Sequence, residues 1–193
     1  MPLLHALILG FVQGLTEFLP ISSSGHLAIV PWLFNWDDFG GNSSLENSFD
    51  VALHLGTLLG AIIYLRSDIA RYSKAAFQWF ASRGPLTGDA HTAVFIGVTA
   101  IPTGIIGLIV LSFTKDLGDR IWLVATCLIL FGLVLWQVDK KKTTKDVDQL
   151  TLRHAIFLGS MQGLAFQPGV SRSGVTISAF RLLAISRIEA AKL

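Results

Sequence analysis

Apolar positions run along this chain in blocks too long for a soluble fold. Two blocks carry no charge at all, Thr92–Phe113 and Ile121–Val138. Each is long enough to cross about 30 Å of hydrocarbon at about 1.5 Å per residue. A third block, Phe49–Leu65, is shorter and holds Asp50 and His54, and it also reads as a span. Two further stretches, 5–19 and 21–34, are too short to cross alone, and Pro20 and three serines separate them. Ile69, Tyr72 or Ser73, Ala76 and Phe80, with basic residues between, predict a helix lying on the membrane surface. The pattern predicts an all-α integral membrane protein.

The two short stretches have a counterpart downstream. His5-Ala6-Leu7-Ile8-Leu9-Gly10-Phe11-Val12-Gln13-Gly14-Leu15 recurs, 149 residues later, as His154-Ala155-Ile156-Phe157-Leu158-Gly159-Ser160-Met161-Gln162-Gly163-Leu164. Each copy then passes through a proline into a hydroxyl-rich turn, Pro20-Ile21-Ser22-Ser23-Ser24-Gly25-His26 and Pro168-Gly169-Val170-Ser171-Arg172-Ser173-Gly174. Irregular backbone at membrane depth survives where it lines a polar cavity or is buried in protein, so each copy predicts a re-entrant helical hairpin. Residues 1–150 form a first repeat, with a hairpin at 5–34 and spans near 49–65, 92–113 and 121–138. Residues 151–193 begin a second. Three intervening spans would invert the second hairpin, so that the turns meet in mid-membrane as an inverted-topology repeat. On that symmetry the second repeat is truncated, and three further spans would follow Lys192.

Composition agrees with the pattern: 52% of residues are hydrophobic and 15% charged, and mean hydropathy is +0.60. A soluble domain carries nearer a quarter charged residues. The first segment lacks Lys and Arg and meets Glu17 and Pro20 within one run, unlike a signal peptide. A net charge of +2 argues against bulk polyanion or nucleic-acid binding, and the single Cys127 excludes a disulfide framework. Charge distribution says more. Stretches 66–90 and 139–153 hold nine Lys and Arg, against two in the 114–120 link and none in 35–49. The positive-inside rule places the first two in the cytoplasm, and Trp122 and Trp136 would anchor the last span at the interfaces.

Few ionisable groups remain at membrane depth: Glu17, His26, Asp50, His54, Arg172 and Arg181. Such residues are costly there and mark functional cavities. Gln13 and Glu17, four apart, share a helix face. Ser22, Ser23 and Ser24 follow, Gly25 permits close backbone approach, and His26 opens the next half-helix. A carboxylate, hydroxyls and an imidazole so close together suit nucleophilic attack with acid–base help. In the second turn Ser171, Arg172, Ser173, Gly174 and Thr176 open a half-helix, where N–H groups and a bidentate Arg suit phosphate. His54 reads either as a packing residue or as a cavity liner. Asp50 reads as a helix N-terminal acid and Arg181 as a side chain snorkelling to the cytoplasmic interface. His5, His91 and His154 read as interfacial residues, and Gly56 and Gly60 as a close-packing pair.

The motif Gln13–His26 and the motif Pro168–Thr176 resemble the two signatures of the bacterial undecaprenyl-diphosphate phosphatases, the bacitracin-resistance proteins, and the resemblance covers the whole chain. It implies a multi-pass inner-membrane hydrolase that converts the polyprenyl diphosphate carrier of cell-wall synthesis to its monophosphate. It further implies inverted repeats, use of Mg²⁺ or Ca²⁺, and frequent homodimers. By matching motif, Gln13 and Glu17 take positions linked to metal or general base work, with Gln13 unable to act as an anionic ligand. Ser22, Ser23 and His26 take the catalytic positions; Arg172, Ser171, Ser173 and Thr176 take the phosphate-binding ones. The expected chemistry is phosphoryl transfer in a site open to the outer (periplasmic) face, either by Ser23 or Ser22 with His26 as base, or through a phosphohistidine at His26. The competing expectation is a transporter or flippase of a phosphorylated isoprenoid lipid, since paired broken helices serve secondary transporters too.

Overall fold

In the computed structural model, residues 1–114, 120–145 and 149–192 are described. They form helices α1 (Leu3–Thr16), α2 (Ser23–Leu33), α3 (Ser43–Ser82), α4 (Gly88–Thr114), α5 (Ile121–Val138), α6 (Leu152–Gly163), α7 (Arg172–Leu182) and α8 (Arg187–Lys192), with a 3-10 turn at Leu164–Phe166 after α6. Lys115 of the basic link and the terminal Leu193 lie outside the described residues. The fold is all-α, and three helices are long and apolar enough to cross a membrane: Ser43–Ser82, Gly88–Phe113 and Ile121–Val138.

The first of these departs from expectation. The span anticipated at 49–65 and the amphipathic stretch after it are one helix of 40 residues, about 60 Å long at about 1.5 Å per residue. No Gly or Pro lies between Leu65 and Ser82 to stop it. Asp68 and Arg71 pair at 2.7 Å along it. It ends only at Arg83, whose backbone turns left-handed at φ 52°, just before Gly84 and Pro85. Asn42 caps its start by accepting from the Ser44 and Leu45 amides. Asp50 therefore lies two turns inside the helix, and Glu46 is the first-turn acid. No residue of α3 is buried, so side chains such as Leu58, Leu59 and Ile63 stand exposed, as a lipid-facing surface requires.

The packed core lies on the other side, where Phe95 of α4, Ala155 and Leu158 of α6, Ala179 and Phe180 of α7 and Ala190 of α8 meet. Small residues draw α6 onto α4. A side chain at Gly159 would strike the Thr99 carbonyl and Pro102, and one at Gly163 would strike Ile106. Close approach lets Thr103 Oγ1 donate to the Gly159 carbonyl at 3.0 Å. The Gly56 and Gly60 pair, expected to pack this way, has nothing within 4 Å. Its helix face is open, and spacing alone cannot tell the two cases apart.

Arg181 is a second correction. It does not snorkel: it is 3% exposed and donates to the carbonyls of Ile185 at 2.6 Å and Asp139 at 3.1 Å, to that of Lys141, and to Thr143 Oγ1 at 3.2 Å. A buried guanidinium has to be satisfied by such acceptors. Three of them, on Asp139, Lys141 and Thr143, come from the segment after α5, which Arg181 thereby ties to the end of α7. Arg187 Nε also donates to Asp139 at 2.6 Å. The histidines at segment ends are likewise structural. His5 stacks on Trp36 with centroids 3.7 Å apart and bonds Asp38 at 2.9 Å, and His154 Nδ1 accepts from the Thr151 amide at 3.0 Å.

Two outcomes follow. Gly159→Ala destabilises the fold by about 1–3 kcal/mol through overpacking, seen as a lower unfolding temperature in detergent, whereas Gly56→Ala leaves it unchanged. Asp139 has its carboxyl held below the usual carboxylate range, chiefly by the hydrogen bond from Arg187. A depressed native value stabilises the fold above the unfolded value of about 3.9 and loses that contribution as pH falls through the native one. The gap in unfolding temperature between wild type and Asp139→Asn should therefore be present at pH 6 and shrink toward pH 3.

Candidate active site

Two turns built alike meet at the centre of the molecule. In the first, Ser22 caps α2, its Oγ accepting from the Gly25 amide at 3.3 Å and lying 3.3 Å from Ser24 Oγ. In the second, Ser171 caps α7, accepting from the Gly174 amide at 3.0 Å, with Ser173 Oγ 3.2 Å away. Each satisfies an amide that a helix start would otherwise leave without a partner. The turns also touch, Ser173 Oγ donating to the Leu19 carbonyl at 3.1 Å. A side chain at Gly174 would come within 3.1 Å of the Pro20 carbonyl, so the close approach is paid for with glycine. Ser22 holds φ 68° and ψ 100°, a sparsely populated conformation that costs on the order of 1–3 kcal/mol and concentrates at functional sites.

Between the turns lies a cavity of about 230 Å³. Glu17 from the end of α1, Ser22, Ser23 and Ser24 from the start of α2, His54 from α3, and Ser171, Arg172 and Ser173 from the start of α7 line it. The partial positive charge of two helix N-termini adds to that of Arg172. The strongest contact inside is Ser23 Oγ donating to Glu17 Oε2 at 2.5 Å. The same oxygen accepts from Gln13 Nε2 at 3.1 Å. Gln13 is 1% exposed and sits behind Glu17, orienting the carboxylate. Arg172 is exposed and makes no side-chain hydrogen bond or ion pair among the described residues, so its guanidinium is available to an anion.

Other residues expected at the site stand around it. His26 does not line this cavity: its Nδ1 donates to the Ser22 carbonyl at 2.8 Å, and its ring faces a separate cavity with Pro20, Leu128 and Gly169. Gly25 lies against the Leu128 side chain of α5. Thr176 Oγ1 donates to the Arg172 carbonyl at 2.8 Å and accepts from Gln162 Nε2 at 3.0 Å, supporting the first turn of α7. Arg172 borders a third, more apolar cavity with Thr176, Phe95 and Phe180. His54, left open between packing and cavity by the sequence, is a cavity residue. Its Nε2 stands 3.8 Å from Glu17 Oε2 and its Nδ1 donates to the Asp50 carbonyl at 2.7 Å. An imidazole in an otherwise apolar span was the signal for it.

Carboxylate, hydroxyl and guanidinium facing one another can activate an oxygen nucleophile and hold a phosphate against it. Known proteins are similar to this chain over most of its length. The family model described as bacitracin resistance protein BacA matches residues 6–193. A relative named undecaprenyl-diphosphatase from Saccharophagus degradans is 42% identical over 194 residues, covering 100% of this chain and 70% of the relative. One of the same name from Pelobacter propionicus is 40% identical, covering 100% and 69%, and one from Nocardioides sp. is 41% identical, covering 98% and 68%. With nearly every position matched, this chain belongs to the bacitracin resistance protein BacA family.

Proposed function

We propose that this protein is a membrane hydrolase that removes the terminal phosphate of undecaprenyl diphosphate, returning the lipid carrier as its monophosphate for cell-wall synthesis. The observation that carries the reading is the Ser23–Glu17 hydrogen bond in a cavity shared with Arg172. In this reading Glu17 takes the Ser23 proton as Ser23 Oγ attacks the terminal phosphorus. The bridging P–O bond breaks, and the lipid monophosphate leaves. Arg172 and the amides at the starts of α2 and α7 hold the charge that spreads over the equatorial oxygens, which is where phosphoryl-transfer catalysis gains most. Glu17 passes the Ser23 proton to the departing monophosphate and then deprotonates a water that attacks the phosphorus. Ser23 Oγ leaves with that proton as inorganic phosphate is released. His26 is a positioning residue here, holding the Ser22 carbonyl and with it the strained turn.

The finer architecture belongs to the same proposal. Helices α1 and α2, of 14 and 11 residues, reach only about 21 and 17 Å, short of a full crossing, which supports re-entrant hairpins. The identical serine caps at Ser22 and Ser171, with three long helices between, support an inverted repeat. The basic segments 66–90 and 139–153 support an inner-membrane protein whose cavity opens to the outer face.

A divalent cation, Mg²⁺ or Ca²⁺ by family resemblance, fits the donors present. Glu17 Oε1 takes no hydrogen bond among the described residues, and the buried Gln13 Oε1 has no partner. Such an ion would rest on Glu17 and neutralise diphosphate charge.

Phosphate release from polyprenyl diphosphate by the full chain in lipid nanodiscs tests the proposal. Arg172→Ala lowers the rate about 10²–10³-fold, Ser23→Ala abolishes it, and acid quenching traps an acid-stable label on Ser23. An acid-labile label on His26, or undiminished release by Ser23→Ala, would overturn the assignment, and lipid binding without release would favour a carrier.

A further inference from the structure

His54 and Glu17 face each other across the cavity with no hydrogen bond between them, His54 Nε2 standing 3.8 Å from Glu17 Oε2. The Nδ1–H of His54 is committed to the Asp50 carbonyl at 2.7 Å, a bond formed within one turn of α3. With Nδ1 donating there, Nε2 is the ring nitrogen left to face Glu17 Oε2. The 3.8 Å between them is too long for a hydrogen bond. A cation placed between them would take the imidazole nitrogen and the carboxylate together. Metal-binding histidines are tuned by the same device, the far ring N–H donating to a backbone carbonyl so that the near nitrogen is fixed as a donor to the metal.

A second observation concerns the residue behind the carboxylate. Gln13, buried behind Glu17, has an Oε1 with no hydrogen-bond partner. Its counterpart 149 residues later, Gln162, donates from Nε2 to Thr176 Oγ1 at 3.0 Å, and its Oε1 lies 3.1 Å from the Thr103 hydroxyl. The same residue in the same local frame finds polar neighbours for both amide atoms in one copy and is left with an orphaned acceptor in the other, next to the carboxylate.

We infer that His54 is a direct ligand of a divalent metal ion, its Nε2 and the Glu17 carboxylate forming a two-donor site at the floor of the cavity. Gln13 cannot supply an anionic oxygen, and His54 provides the second protein donor in its place. Among the described residues no group of three His, Cys, Asp or Glu side chains is placed to hold a metal. The protein therefore contributes two ligands, and diphosphate oxygens and water complete the shell, as is usual where a metal meets phosphate. An imidazole nitrogen in the set shifts preference from Ca²⁺ toward Mn²⁺ and other first-row ions. The inference rests on reading the cavity as a diphosphate site.

The test is Mn²⁺ paramagnetic resonance on the full chain in nanodiscs with inorganic pyrophosphate as probe. The bound Mn²⁺ shows a nitrogen coupling that converts from ¹⁴N to ¹⁵N on histidine labelling. It survives in His26→Ala and disappears in His54→Gln, with Mn²⁺ affinity lower by about tenfold or more. Absence of the coupling in the unmutated chain, its persistence in His54→Gln, or its loss in His26→Ala would each overturn the inference. Phosphate release separates this from the functional reading. Hydrolysis without nitrogen coupling removes the ligand alone, whereas coupling without hydrolysis leaves the metal site and removes the phosphatase.

Discussion

Backbone groups at a broken helix end need hydrogen-bond partners, and the two turns supply them mostly from their own side chains and once across the contact between them. Ser22 and Ser171 satisfy the amides at the starts of α2 and α7. His26 takes up the Ser22 carbonyl, Thr176 the Arg172 carbonyl, and Ser173 the Leu19 carbonyl. Irregular backbone is tolerated at depth only when its polar groups are provided for in this way. The cavity is a consequence. Because the turns touch where Ser173 meets Leu19, the first residues of both helices border the same small space.

The two turns share a frame but not a chemistry. At an offset of 149 residues, Glu17 corresponds to Phe166 and Ser23 to Arg172, while the serine caps are retained. One copy supplies acid and hydroxyl, the other supplies a cation. A charged pair from a single hairpin would sit along one helix face. Drawn from two turns, the groups line one cavity from different helices, an arrangement that suits a phosphoryl group held between them. Relatives sharing about two fifths of their residues match this chain over its whole length, both turns included.

Much of this was legible in the sequence, for physical reasons. Uninterrupted apolar blocks gave α4 and α5, because crossing hydrocarbon leaves little freedom in length or composition. Proline followed by serines marked both helix breaks. What failed were features decided by neighbours. The extent of α3 depended on the absence of a breaker after Leu65, which hydropathy does not register. Gly56 and Gly60 carry the spacing of a packed pair, but only Gly159 and Gly163 have a helix against them. Arg181 looked like an interfacial side chain because its four acceptors are distant in sequence or lie in a loop. At the site, Glu17, Ser23 and Arg172 were brought together as expected. His26 was not, because its first contact, the Ser22 carbonyl four residues earlier, turns it to the other side of the turn. His54 was visible only as an anomaly in its span.

Whether the turns meet in a bilayer can be measured without reference to catalysis. Cysteines placed at Leu19 and Ser173, with Cys127 replaced by alanine, would be oxidised in native membranes and the cross-link read by mass spectrometry. The account predicts rapid formation of an intramolecular disulfide between two positions far apart in sequence and adjacent in space. Cysteines that stay reduced and independently labelled, in protein that is otherwise folded, would contradict it.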